Sequence, residues 1–263
     1  MSEPSRDAST IIVGQYQAAA SAAAGSNSYG GLRIHALPGL HECLAGLVVR
    51  HVPARARILD LAAGSGSMCM RLRDLGFRPH AADYVAENFK LAGVPFAKVD
   101  LNLSFADAFR GEDFGAIMAS EIIEHLENPR HFLRECRRIL GPDGVIQLST
   151  PNPENGGSAA SFIRSGQFLW FSDHDYRLQG HITPLTRWQL GRCLDEAGFE
   201  LAWEGSFGAV ASKLEGSPRL RALAWVIDRV SSLPRALRGE IYICVARKRL
   251  PPEPAAGQAG PAG

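Results

Sequence analysis

At 263 residues the chain is long enough for one large domain, and its 46% apolar content is ordinary for a packed core. A formal net charge of +1 supplies no bulk field toward nucleic acid or an anionic membrane, although it leaves room for a local basic patch. No run is apolar and long enough to span a bilayer, and the five cysteines form no Cys-x-x-Cys pair, which points to a reduced, cytoplasmic protein rather than a disulfide scaffold or zinc module.

Residues 1–28 are small and polar, and a flexible N-terminal arm is expected there. A signal peptide fits poorly, because Glu3 and Asp7 outweigh Arg6 and because Gln15 and Gln17 interrupt the apolar stretch. Leu37, Leu40, Leu44, Leu47 and Val48 recur at helical spacing and predict a helix within 29–53. Arg57-Ile-Leu-Asp-Leu61 then reads as a strand, Ala62-Ala-Gly-Ser-Gly66 as a tight turn, and Met68 to Leu75 as an amphipathic helix. Gly64 and Gly66 permit the sharp bend and let a ligand approach the backbone. The helix start adds unpaired N–H groups.

Further strands are expected at 78–83, 95–100, 114–120, 145–150, 199–207 and 240–246. Their alternation with helical runs implies an α/β, doubly wound, mostly parallel sheet. Asp83 ends the second strand about twenty residues past the glycine turn, where a carboxylate can accept paired sugar hydroxyls. Between Pro151 and Pro184 the chain is rich in Gly, Ser and aromatics and reads as irregular. A connector of that length is usually functional. Thr186-Arg-Trp-Gln189 is a capping box ahead of a helix. Residues 220–233 look helical and insertional, and the Pro/Gly/Ala tail from 251 to 263 is expected to be disordered.

Together these segments resemble the class I S-adenosylmethionine (SAM)-dependent methyltransferases. Asp60-Leu-Ala-Ala-Gly-Ser-Gly66 is similar to that family's first motif, with Ala62 where glycine is common. Asp83 matches the ribose-binding acid, with Tyr84 beside it, and Asp100-Leu101 matches the position facing the adenine. Glu121-Ile-Ile-Glu-His-Leu-Glu-Asn-Pro129 is similar to a signature after the fourth strand. Leu140-Gly-Pro-Asp-Gly-Val145 and Leu148-Ser-Thr-Pro-Asn152 continue the match. The resemblance implies a Rossmann-like seven-stranded sheet whose last strand is antiparallel, in a methyltransferase domain over 29–250 with 151–184 and 208–238 as lid or insertion segments. It implies SAM as cofactor, held by Asp60, Ala62, Gly64, Gly66, Asp83, Tyr84, Asp100, Leu101 and Ser120.

Glu-x-x-Glu-His with a distant histidine resembles the divalent-metal site of the small-RNA 2′-O-methyltransferases and the ubiquinone-pathway O-methyltransferases. If the segment turns helically, Glu121 and either Glu124 or His125 share a face. His181 is then the distant ligand. A carboxylate–imidazole set suits Mn²⁺, Fe²⁺, Co²⁺ or Zn²⁺ better than Mg²⁺. Two other roles stay open: His125 as a metal-free general base assisted by Glu124, and a purely structural role for both. Phe168, Trp170, Phe171, His174, Asp175 and Tyr176 are candidates for a lid over the acceptor. The expected acceptor is an oxygen, less readily a nitrogen or carbon, of a small molecule or glycan. RNA 2′-O-methylation and a non-catalytic SAM-binding scaffold are the rival readings. The near-neutral charge argues against the first, and the intact Asp60, Gly64, Gly66 and Asp83 against the second.

Overall fold

A computed structural model describes residues 27–209, 214 and 216–250. The expected disordered tail, and all but the end of the expected N-terminal arm, lie outside those residues. The described chain begins with a short hairpin, β1 (Ser28–Tyr29) and β2 (Leu32–Arg33), followed by helix α1 (Leu40–His51). Leu37, expected within that helix, precedes it and packs on the same core. Gly39 is left-handed at the helix entry and sets the start three residues later than the apolar spacing suggested.

The central sheet holds seven strands in the order β5-β4-β3-β6-β7-β9-β8. They are β3 (Arg57–Leu61), β4 (Arg78–Asp83), β5 (Phe96–Lys98), β6 (Phe114–Ser120), β7 (Leu140–Pro151), β8 (Phe199–Phe207) and β9 (Ile241–Lys248). Only β9, the last in the chain, runs against its neighbours β7 and β8, as expected. Alternation along β3 explains the two-sided core. Ile58 joins α1 residues Leu40, Leu44 and Val48 on one face, whereas Leu59 and Leu61 join Phe132, Leu133 and Ile139 on the other. Those last three come from α3 (Pro129–Ile139), which starts at Asn128, whose side chain accepts from the His131 N–H, with Pro129 at the first helical position.

Strand β5 stops at Lys98, so Asp100 falls beyond it; its Oδ1 accepts the Asn102 N–H in a local turn. The segment 151–184 is not irregular. It carries α4 (Gly156–Ser165) and α5 (Asp173–Gln179). Both were hidden by composition, since Gly156-Gly-Ser is poor helix sequence, yet both carry start signals. Asn155 caps the first, and Ser172 with Asp175 forms a capping box on the second. Asp175 is thereby a buried structural acid rather than part of a lid surface. The capping box of Thr186 and Gln189 opens α6 (Arg187–Glu196), and the 208–238 segment carries α7 (Pro218–Val230).

The bend after β3 is strained at one point. Ala62 has φ 62°, left-handed backbone that disfavours a Cβ. Ala62→Gly is expected to raise stability by about 1 kcal/mol, relief of strain outweighing added chain entropy. Urea unfolding measures it, and a loss of stability would refute the strain.

Candidate active site

β3 and β6 are adjacent in the sheet, and the strand order reverses between them, so a crevice opens at their carboxyl ends. Helix α2 (Ser67–Asp74) starts directly at this crevice. Asp60, Ala62, Ala63, Gly64, Ser65, Ser67 and Met68 line it from the β3–α2 bend, and Ser120, Glu121, Ile122 and His125 from the end of β6. Gly64 and Gly66 are both left-handed but play different roles. A Cβ on Gly64 would meet nothing within 4 Å, which leaves its backbone open to a ligand. A Cβ on Gly66 would sit 2.8 Å from the Phe89 ring and 2.9 Å from Leu91, so this glycine serves packing.

Asp83, at the end of β4, is buried and holds the bend in place. Its Oδ2 accepts the Gly64 N–H at 2.8 Å and its Oδ1 the Val85 N–H at 2.9 Å. Burial raises its pKa, with the Val85, Gly64 and Tyr84 backbone amides acting the other way. Asp60 sits on the crevice floor. Burial pushes its carboxyl up to about 7, a hydrogen bond from the Cys69 thiol opposes this, and the Asp83 charge adds to it. An acid held near neutrality and facing an open crevice is suited to a cationic ligand. Tyr84 is exposed beyond β4, and Lys98 lies 6.0 Å over its ring. Leu101 is packed into the core. Asp83, Tyr84, Asp100 and Leu101 do not line the bend-side crevice, and Asp83 reaches it through the Gly64 amide that it holds.

The segment leading into α1 closes the crevice from the other side. Arg33, His35, Ala36 and His41 form that wall. Ser65 Oγ donates to the Arg33 carbonyl at 2.6 Å and clamps the hairpin onto the bend. Burial lowers His41 to about 4, so its ring is neutral. The absence of a metal-ligand or catalytic spacing in Arg33-Ile-His-Ala36 explains why sequence gave no warning.

A second cavity of about 440 Å³ joins the first, sharing His35, Ala36, Glu121 and His125. Leu37, Pro151, Trp170, Leu178 and Ile241 form the apolar part of its wall, and Glu124, Gln179 and His181 add polar points to the shared His35, Glu121 and His125. Trp170 is held by its indole N–H donating to Glu240 Oε1 at 3.0 Å. Of the other proposed lid residues, Phe171 lies 5.6 Å from the His181 ring and Phe168 stacks on Phe162, away from the cavity lining.

The loop carrying His181 is stapled to the Glu124 turn. The Ile182 and Thr183 N–H groups both donate to the Glu124 carbonyl at 2.9 Å, and Thr183 Oγ1 donates to the Leu126 carbonyl. As a result, one ligand atom from each of Glu124, His125 and His181 lies within 4.8 Å of the others. Glu124 is fully buried; Thr150 Oγ1 donates to its Oε2 at 3.1 Å, and its Oε1 has no hydrogen-bond partner. His125 Nδ1 also lacks one, and its side chain is 12% exposed. Trp170 O lies 2.7 Å from His181 Nδ1, a contact that orients the ring with Nδ1 as the donor.

Glu121, expected among these ligands, stays outside the cluster among the described residues. The turn Ile123–His125 is a single 3₁₀ turn, and Glu121 precedes it in left-handed backbone at φ 51°. Its carboxylate accepts from Ser149 Oγ at 2.9 Å, beside Ser120, whose hydroxyl is 3.2 Å from the same oxygen. Burial holds Glu121 up at about 7, and burial with the Glu121 charge raises Glu124 further. Burial and the His181 charge lower His125 to about 3. A ring so resistant to protonation is a weak general base and stays neutral.

A glycine bend and a bridging acid at the switch point of a parallel sheet, opening on a second cavity, define a Rossmann-like fold with a ligand crevice in its usual place. Comparison with known proteins narrows this class. Residues 38–203 match the family described as "Methyltransferase domain". A ubiquinone biosynthesis O-methyltransferase of Dinoroseobacter shibae is 30% identical over 154 residues, 55% of this chain and 60% of that protein. Its namesake in Parvibaculum lavamentivorans is 33% identical over 130 residues, 46% and 51% of the respective chains. The matched part is thus little more than half the length of these relatives. Among solved structures, a SAM-dependent methyltransferase from Mesorhizobium loti superposes with a TM-score of 0.54 at 17% identity, over 77% of this chain and 96% of that one. The [4+2]-cyclase SpnF superposes with 0.57 at 17% identity, over 95% and 100%. The chain belongs to the methyltransferase domain family and carries the class I SAM-dependent methyltransferase fold.

Proposed function

We propose that the protein transfers a methyl group from SAM to a hydroxyl oxygen of a small molecule with an apolar or aromatic body. The observation that carries this reading is the junction of the two cavities at Glu121 and His125, with the Glu124–His125–His181 cluster facing the second cavity. The relatives named as O-methyltransferases support an oxygen acceptor. An apolar stretch of wall and the absence of lysine or arginine from the second cavity's lining favour a small molecule over RNA. No helix among the described residues is long and apolar enough to cross a membrane, and all five thiols are free, which fits a cytoplasmic enzyme.

Bound SAM supplies an already activated sulfonium methyl. The chain's task is to bind it, align the acceptor in line and exclude water. Asp83 accepts from the ribose hydroxyls, the Gly64 backbone and Ser120 border the amino-acid end, and Asp60 faces its positive charge. The orphaned Glu124 Oε1, with His125 Nε2 4.0 Å away and a His181 ring already oriented by Trp170, fits a divalent cation. A bound cation would hold the acceptor oxygen and lower its pKa. Trp170 and Leu178 shield the acceptor from water.

Asp60 gives this reading a pH signature. Below about 7 its carboxyl takes up a proton in the free protein. A cationic ligand favours the carboxylate, so binding must expel that proton in acid. SAM affinity is expected to fall about tenfold per pH unit below neutrality and to level off above it. Asp60→Asn should flatten the slope. Calorimetric titrations at several pH values check this, and an unchanged slope in the variant would remove Asp60 from the role. Methyl transfer to a panel of phenols and oligonucleotides, with and without EDTA, tests the acceptor. Oligonucleotide methylation without phenol methylation would overturn the small-molecule reading.

A further inference from the structure

The overall charge conceals a strongly basic plate on the side of the molecule built by α7. From Pro218 to Arg238 there are five arginines (Arg219, Arg221, Arg229, Arg235 and Arg238) against the single acid Asp228, a local surplus of four in a chain of net +1. Asp228 is occupied, its carboxylate accepting the Gly156 N–H at 3.0 Å. Arg219, Arg221, Arg229 and Arg235 make no side-chain hydrogen bond or ion pair among the described residues.

α7 is amphipathic in an unusual sense. Leu220, Leu223, Ala224 and Ile227 pack inward with Ala160, Leu169 and Leu214. The outward face still carries large apolar groups: Trp225 is 67% exposed, Val226 47% and Val230 78%. Arg221 and Arg229 share that face, and Asp228 at its edge is the one acid beside them. Trp225, Asp228, Arg229, Arg235 and Arg238 line a cavity of about 250 Å³, in which three arginines face the one carboxylate already engaged by the Gly156 N–H. Arg238 is oriented there by donating to the Leu233 and Ser231 carbonyls.

We propose that this plate is a docking surface for an anionic phospholipid bilayer. Trp225, Val226 and Val230 enter the headgroup–acyl boundary, and a lipid phosphate is held in the pocket of Arg229, Arg235 and Arg238. Charge complementarity selects this occupant. A second copy of the same face would bring two surpluses of positive charge together. A nucleic acid would set Val226 and Val230 against phosphates and leave their burial unrewarded. The plate is mechanically joined to the acceptor cavity, because Leu169 packs with the inward face of α7 and the next residue, Trp170, forms the cavity wall. The docking itself does not depend on which acceptor that cavity takes.

Cosedimentation of the full chain with vesicles tests the proposal. Vesicles of phosphatidylcholine with phosphatidylglycerol should bind the protein, and phosphatidylcholine alone should bind it at least about tenfold less. Arg229→Gln with Arg235→Gln should weaken binding by about thirtyfold, given about 1 kcal/mol per cation near such a surface. Trp225→Ala should weaken it further and abolish a vesicle-induced fluorescence shift. Unchanged S-adenosylhomocysteine binding in the variants shows that they are folded. Equal binding to neutral vesicles, undiminished binding of the double variant, or full displacement by millimolar inorganic phosphate would overturn the proposal. Tighter binding of an oligonucleotide than of vesicles, or an arginine-dependent dimer, would do so as well.

Discussion

Asp83→Ala is expected to weaken SAM and S-adenosylhomocysteine binding by at least about a hundredfold. Two effects act together. The substitution removes the acceptor proposed for the ribose hydroxyls, and hydrogen bonds to a charged group contribute about 1.5–3 kcal/mol each. It also frees the Gly64 and Val85 N–H groups that the carboxylate now holds at 2.8 and 2.9 Å, so the bend lined for the cofactor loosens. Asp83→Asn keeps one acceptor oxygen and should fall between wild type and Ala. Gly64→Ala should weaken binding less than Asp83→Ala, since φ 53° disfavours alanine by about 1–2 kcal/mol and its methyl enters open crevice. Calorimetry measures all three. Unimpaired binding by Asp83→Ala in a folded protein would break the link between the bend and the cofactor.

Glu124→Gln and His181→Ala are each expected to lower kcat/KM by about a hundredfold or more, the loss following the cation rather than the fold. Glutamine is nearly isosteric and neutral. Glu124 is buried in a setting where burial and Glu121 already favour its neutral form, so Glu124→Gln should keep or raise the melting temperature. It would still supply a poorer ligand. Metal content after dialysis against Mn²⁺ should drop in both variants. Cation binding by the wild type should strengthen with rising pH, because Glu124 must lose its proton to bind. Glu121→Gln, outside the three-residue cluster, should cost less metal. Full activity of Glu124→Gln would assign the cluster a structural role, and activity indifferent to EDTA would exclude the cation.

The sequence was legible where local pattern and global fold agree. The seven strands follow from apolar runs bounded by turn residues, and the single antiparallel strand was implied by family likeness. Gly64, Gly66 and Asp83 could be picked out because a tight strand-to-helix bend and a strand-end acid obey short-range rules. Helices α4 and α5 were missed because glycine, serine and aromatics mask helical spacing, although Asn155 and Ser172 mark both starts. Glu121 was misplaced for a different reason. Its neighbours suggested a helical turn with one ligand face, whereas a left-handed residue and a hydrogen bond to Ser149, 28 positions away, set its direction. The meeting of His181 with Glu124 depends on a staple between the 182–183 amides and one carbonyl. Nothing in residue spacing encodes such a contact. The arginine surplus around α7 was countable, but its exposed tryptophan and valines emerge only once the inward face is known.

The proposed transfer requires the cofactor to lie across the switch point with its transferable group turned toward His125. A crystal structure of the protein with S-adenosylhomocysteine tests this most directly. The ribose should meet Asp83, the amino-acid end should lie over Gly64 near Asp60, and the sulfur should point into the cavity shared by Glu121 and His125. Density for the ligand elsewhere, or a sulfur facing away from that cavity, would contradict it.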